Sequence, residues 1–236
     1  MTLERANTSE AVAAHILGRL FDGSLRSGQR IDLDEVAAEL GVSRVPVREA
    51  LIQLERDGLV DRAHYRRAHV GAFGEETVRE AFALYGMLSA LTNRRVAARR
   101  DPAVAEALGK LDEALARCDD PAEYESLARE FRRVVNVAGA GNHLRALLRT
   151  FSGLVPAAAR FSIDDALPEE RTALHAEYVA LRDGRVDAAG AAALAHLHLT
   201  ADNAVRALRR RGVFVAPDGQ DGPLWTDVAA VIEEES

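Results

Sequence analysis

Between Leu33 and Leu54 the chain carries two apolar stripes of helical spacing, split by the three residues Gly41-Val42-Ser43. Leu33, Val36, Ala37 and Leu40 recur at i, i+3, i+4 and i+7, and Val47, Ala50, Leu51 and Leu54 repeat the pattern. The break between them is built from helix-boundary residues. Gly41 suits the left-handed residue after a helix end, and Ser43 suits the N-cap of the next helix. Pro46 falls in the first turn of that helix, where a missing N–H costs little. Asp32 with Glu35 three residues on resembles a capping box for the earlier helix. Two helices are therefore expected to meet at a tight turn. That arrangement leaves Arg44, Val45, Arg48 and Ile52 on the side opposite the apolar stripe.

The flanking sequence completes a small unit. Thr8 or Ser9 is expected to cap a first helix whose stripe is Ala13, Ile16, Leu17 and Leu20. "DGSLRSGQRI" ends it with a turn at Ser27-Gly28. Asp57-Gly58 stops the third helix. "LVDR" and "AHVGAF" then read as two short strands around the tip "AHYRRA". Three helices and a strand pair in this order describe a winged helix-turn-helix over residues 1–74.

Beyond Gly74 the pattern is helical throughout. Helices are expected at about 77–99, 103–118, 121–138, 142–159, 168–183 and 186–211, broken at Pro102, Pro121, Gly139-Ala140-Gly141, Pro168 and Gly184. The fold class expected is mainly α, with the winged unit followed by an all-helical bundle over residues 75–212. A tail over 213–236 includes the loop-forming "PDGQDGP".

Charge constrains what such a chain can bind. Thirty Lys/Arg face thirty-seven Asp/Glu, for a net charge of −7. The winged unit holds ten arginines against eleven carboxylates, so it cannot coat nucleic acid indiscriminately. Any contact with DNA must come from a few arginines placed locally. With one cysteine, Cys118, no intramolecular disulfide can form, which fits a reducing compartment. "MTLERANTSE" lacks the apolar core of a signal peptide, and no run of about 18 apolar residues occurs. The expectation is a cytoplasmic protein without a membrane partner.

The second helix of a helix-turn-helix enters the major groove with its N-terminal residues against base edges. Ser43, Arg44, Val45, Pro46 and Arg48 occupy that position here. Arginine makes a bidentate contact with guanine O6 and N7, worth about 1–3 kcal/mol of discrimination. The Ser43 hydroxyl suits a phosphate oxygen. His64, Tyr65, Arg66 and Arg67 at the wing tip suit the backbone or the minor groove. The alternative for each arginine is a solvated helix face paired with Glu49, Glu55 or Asp57.

"VAAELGVSRVPVREALIQLERDGLV" resembles the signature of the GntR family of bacterial transcription regulators, over residues 9–73. The helical remainder is similar, over about 77–211, to the effector domain of the family's fatty-acid-regulator branch, the FCD type. The resemblance implies a homodimer on a palindromic double-stranded DNA operator, retuned by a small acid. It also implies DNA contacts at Arg44, Val45, Pro46 and Arg48 and at the wing from His64 to Arg67. The wing tip departs from the family pattern by lacking a glycine.

Domains of this type commonly hold a divalent metal through an Asp and a His four apart on one helix and two later His. Here the Asp position is Ala128 and the His position is Arg132, while His175 and His196 match the later pair. Two imidazoles beside a guanidinium make a poor cation site, so zinc is disfavoured and no cofactor is expected. Arg132 can instead take the metal's role and clamp a carboxylate or phosphate directly. Arg129, Arg132 and Asn136 share one helix flank, and His196, Thr200 and Asn203 share another. Tyr85 and Ser89 stand where the family usually has Arg and Glu. The candidate effector site is thus Tyr85, Arg132, Asn136, His175, His196 and Asn203. The alternative is that Arg132 is a surface residue or forms a buried structural ion pair, and that the histidines are hydrogen-bonded core or surface residues.

Two other functional readings stay open. One is a metal-dependent hydrolase using His175 and His196, although no HExxH, P-loop or nucleophile elbow is present. The other is a constitutive DNA-binding dimer without an effector. The leading expectation is a transcription regulator rather than an enzyme.

Overall fold

The computed structural model describes residues 2–26, 28–62, 68–71, 73–151 and 153–214, with side chains from Thr8 onward except that of Arg62. The N-terminal unit runs α1 (Thr2–Phe21), β1 (Arg30–Ile31), α2 (Leu33–Leu40), α3 (Arg44–Arg56), β2 (Val60–Arg62) and β3 (Ala68–Val70). The strands form one antiparallel sheet in the order β1-β3-β2. This is a winged helix-turn-helix, and an all-α bundle follows it.

The turn forms as its residues dictate. The Asp32 side chain accepts from the amides of Asp34 and Glu35 and caps α2. Gly41 adopts the left-handed conformation, φ 64°, and the Val42 amide reaches back to the Ala37 carbonyl at 3.0 Å. Ser43 is the N-cap residue of α3, but its hydroxyl makes no capping bond. Val47, Ala50, Leu51 and Leu54 are buried, each with 3% exposure or less. Two expectations need correction. α1 begins at Thr2, so Thr8 and Ser9 lie inside it rather than at its start. β1 stands where only a turn was expected, because its two residues are strand-like only through pairing with His69 and Ala68.

The bundle consists of α4 (Glu75–Arg99), α5 (Pro102–Arg117), α6 (Pro121–Gly139), α7 (Asn142–Thr150), α8 (Leu154–Arg182) and α9 (Val186–Arg210). The helix expected over 142–159 is two helices, divided after Thr150. The gap expected before Pro168 is absent, and α8 runs through it with a kink at Ala166 (φ −144°, ψ 38°). Pro168 explains the kink, since its ring crowds the preceding turn and it donates no backbone hydrogen bond.

Buried Ala189, Gly190, Ala193, Ala201, Ala204 and Ala207 make α9 narrow, which lets it lie between α4 and α8. One apolar cluster joins the winged unit to the near end of the bundle. It unites Phe21, Leu54 and Phe73 with Phe82 of α4, Leu154, Val155 and Ala158 of α8, and Leu197 and Leu208 of α9. A second cluster fills the far end around Val96, Leu108, Tyr124, Phe131, Leu174 and Leu181. Between them the helices bury polar residues: Ser89, Thr92 and Asn93 on α4, Ser162, Glu170 and Glu177 on α8, and His196, Thr200 and Asn203 on α9.

Helix α6 approaches α4 most closely at Gly139, where a Cβ would lie 2.5 Å from the Thr92 carbonyl oxygen and 3.0 Å from its carbonyl carbon. Backbone cannot yield there as a side chain can. Gly139→Ala is expected to cost about 1–3 kcal/mol by overpacking, read as a lower urea midpoint with an unchanged m-value.

Candidate functional site

The front of α3 is open to solvent. Val45 is 50% exposed, and Arg44 and Arg48 are both exposed. Arg44 is not free: its Nη2 donates to Asp34 Oδ2 at 2.7 Å, across the turn to α2. Neither Glu49, Glu55 nor Asp57 is its partner. Both side chains of this pair are 62% exposed, so the pair contributes at most about 1 kcal/mol and can be exchanged for another acceptor. Arg48 has no ion-pair partner among the described residues. Pro46 is half-buried in the first turn, and Ser43 is exposed just before it. Arg19 and His15 of α1 pair with Glu35 and Glu39 of α2, which fixes α2 against the scaffold behind α3. His64, Tyr65, Arg66 and Arg67 lie outside the described residues.

At its other end α3 meets the bundle. Asp57 caps it, and a Cβ on Gly153, just before α8, would sit 3.3 Å from Asp57 Oδ2 and 3.2 Å from Gln53 Nε2. Burial raises the Asp57 carboxyl to about 6.

The buried polar layer centres on Glu177. Arg132 donates to both its oxygens, at 2.6 and 2.9 Å. Asn93 Nδ2 donates to Oε1 at 2.6 Å, and His196 Nδ1 lies 3.1 Å from Oε2. The other ring nitrogen of His196 lies 3.1 Å from Glu170 Oε2. Thr200 donates to that same oxygen at 3.0 Å, and Ser162 donates to Glu170 Oε1 across the Ala166 kink. With carboxylate oxygens against both ring nitrogens, His196 is satisfied as an imidazolium, which donates from each. Burial opposes that cation, but the bonds to Glu170 and Glu177 outweigh it and raise the His196 pKa. Burial also works to raise Glu177. The Arg132 charge and the His196 bond overcome this and hold it at about 2.

Of the six residues expected at an effector site, four adjoin one another in this layer. Arg132 and His196 share Glu177, and Asn136 Nδ2 donates to the Tyr85 hydroxyl at 3.5 Å. Asn203 is buried on α9 and accepts from Arg206. His175 is elsewhere. Its side chain is 58% exposed and pairs with Asp112 of α5 at 2.9 Å. The expected sharing of one site by His175 and His196 therefore fails, because Glu177, two residues on, takes the inward face of α8. No group of three or more His, Cys, Asp or Glu suited to a metal occurs among the described residues. Glu170 and Glu177 were missed by the sequence reading. Their signal was present: they share an i, i+4, i+7, i+11 stripe with Leu174 and Leu181, so two carboxylates sit on an apolar face.

A winged helix-turn-helix with an exposed arginine-bearing third helix, carried on a helical bundle, defines a DNA-binding transcription regulator. The comparisons agree. Residues 8–70 match the model of the bacterial regulatory proteins, gntR family. Over 230 residues the chain is 38% identical to an uncharacterized HTH-type transcriptional regulator of Mycobacterium tuberculosis (strain ATCC 25618 / H37Rv), covering 93% of this chain and 90% of that protein. The chain belongs to the GntR family, whose members are DNA-binding regulators and not enzymes.

Solved structures share the fold. E. coli McbR/YncC superimposes with a TM-score of 0.63 at 19% identity, covering 87% of this chain and 98% of that one. A putative transcriptional regulator GntR from Rhodococcus sp. RHA1 gives 0.54 at 26% identity, covering 85% and 97%. No helix among the described residues is long and apolar enough to cross a membrane.

The polar layer predicts a pH profile. Glu177 is depressed on folding, so its contribution is present above the ordinary value of 4.5 and is lost as pH falls toward 2. His196 is raised, so its contribution is full below 6.5 and is lost as pH rises through its folded value. Urea unfolding across pH 3–9 should fall on both sides of that window. Glu177→Gln should cost about 3–5 kcal/mol, because it strands two buried cations, and should flatten the acid limb.

Proposed function

We propose that the protein is a sequence-specific regulator that binds a double-stranded operator as a homodimer and is retuned by a small metabolite in the helical domain. We further propose that this domain is of the FCD type. The single observation that carries the DNA reading is the open front of α3, with Arg44 and Arg48 a turn apart on one exposed side. Arg44 exchanges Asp34 for a base edge, Arg48 reaches a second one, and Val45 lies against a thymine methyl. Ser43 and the first-turn backbone beside Pro46 take a phosphate. The wing residues His64, Tyr65, Arg66 and Arg67 follow the DNA backbone.

The effector is a small acid or phosphate. Its anionic group competes with Glu177 for the Arg132 fork. Four buried polar atoms without a hydrogen-bond partner among the described residues support a ligand here: Ser89 Oγ, Asn93 Oδ1, Asn136 Oδ1 and Asn203 Nδ2. Tyr85, Asn136, His196 and Asn203 orient it. α8 carries the signal, since its kinked middle holds Glu170 and its first turns pack in the apolar cluster that joins the winged unit to the bundle.

One observation favours a second reading. Arg132, His196, Glu170 and Glu177 already satisfy one another through direct hydrogen bonds, as in a constitutive dimer that needs no effector.

Both parts are testable by fluorescence anisotropy on an operator selected from genomic fragments. Arg44→Ala and Arg48→Ala should each weaken operator binding by roughly 5–150-fold, corresponding to about 1–3 kcal/mol, and random DNA much less. Equal losses on both DNAs would rule out base readout. A panel of metabolite acids and phosphates should raise Tm and change operator affinity for the wild type and not for Arg132→Ala. No response to any member would favour the constitutive dimer.

A further inference from the structure

Negative charge is unevenly spread along the chain. Residues 215–236, outside the described residues, hold six carboxylates and neither Lys nor Arg, so six of the seven net negative charges fall there. They also hold the chain's one tryptophan, and Trp225, Val228 and Ile232 recur at i, i+3 and i+7. The front of α3 presents the complementary pattern. Val45 and Ile52 are 50% and 36% exposed, and they lie on one side of the helix with Arg48 between them. Along α3 the exposed charges are Arg44, Arg48 and Arg56 against Glu49 and Glu55. Arg48 has no ion-pair partner among the described residues, and the exposed pair of Arg44 with Asp34 is open to exchange.

We propose that the segment 224–235 docks on the side of α3 that carries Val45, Arg48 and Ile52, and so competes with DNA for it. The proposal rests on the reading of that side as the DNA surface, and adds a competitor built into the same chain. Trp225, Val228 and Ile232 cover the two exposed apolar residues. Asp227 and the run Glu233-Glu234-Glu235 supply carboxylates to Arg44 and Arg48, whose forks accept carboxylate and phosphate alike.

The described residues stop within reach of this face. Val213 is buried in the apolar cluster that also holds Leu54 of α3, and the Phe214 ring lies 5.5 Å from that of Phe73. From Leu54 to Arg44 the helix runs about 15 Å. Eleven residues lead from Phe214 to Trp225, enough for about 36 Å of extended chain. A segment tethered within reach meets its site at about millimolar effective concentration, so a contact too weak to form between separate molecules still holds the face closed.

Trp225 is its own probe. In the wild type its emission should be blue-shifted from that of the free 215–236 peptide, and selected operator should move it to the red. Arg48→Glu and Ile52→Ser change exposed side chains and should each give the red shift without DNA. Operator affinity then separates docking from general repulsion. Neutralising the carboxylates (Asp218→Asn, Asp221→Asn, Asp227→Asn, Glu233→Gln, Glu234→Gln and Glu235→Gln) should tighten operator binding roughly tenfold at low salt and less at high salt. Trp225→Ala, Val228→Ala and Ile232→Ala together keep every charge and should tighten it roughly threefold or more.

Tighter binding by the neutralised variant alone, with the apolar variant unchanged, would mean general repulsion and would overturn the docking. So would a Trp225 emission that is the same in the wild type, Arg48→Glu and Ile52→Ser. A wild type and a neutralised variant that both fail to prefer operator over random DNA would overturn the DNA reading instead. The emission of the two α3 variants, taken without DNA, would still decide the contact.

Discussion

One carboxylate ties four helices together at a single point. Glu177 belongs to α8 and is held by Asn93 of α4, Arg132 of α6 and His196 of α9. A carboxylate without exposure survives only if its charge is matched and its lone pairs are filled, and here both conditions are met by groups from three other helices. That requirement fixes the rotation of each helix about its own axis. A slip that kept every apolar residue inside would still leave a buried charge unmatched. The two apolar clusters supply the bulk of the stabilisation, and the polar layer between them supplies the register.

The same layer constrains the ligand proposed for it. Arg132 is already engaged by Glu177, so an anion gains only the difference between its own contacts and those it displaces. Affinity for a simple carboxylate is therefore low by construction. A ligand that also meets the unpaired amide and hydroxyl atoms of Ser89, Asn93, Asn136 and Asn203 gains selectivity from them.

Much of the fold was legible where structure is local. The turn at Gly41, the stripe from Val47 to Leu54 and most of the long helices follow from spacing and caps within a few residues of each other. What escaped was non-local. β1 exists only because residues nearly forty positions later pair with it. Pro168 signalled a boundary, yet tertiary packing of α8 on both cores carried the helix past it with a kink. Arg132 and His196 could be singled out from the sequence, but their joint partner could not. Glu177 lies 45 and 19 residues from them, and its meaning depends on which way α8 is rotated. His175 misled for the same reason, since two residues on one helix point to different sides.

The bend in α8 has a mechanical corollary. Beyond Ala166 the helix is clamped by Glu170 and Glu177, while the first turns, through Leu154, Val155 and Ala158, pack in the apolar cluster that the winged unit shares with α4 and α9. The segment from Leu154 to Ala166 is a lever about 18 Å long, with the bend as its fulcrum. A tilt of roughly 10° there would carry Gly153 about 3 Å along the end of α3, on the rise per residue of an α-helix. A displacement of that size exceeds what close packing of Gly153 against Asp57 and Gln53 can absorb. The reading helix would have to follow such a tilt.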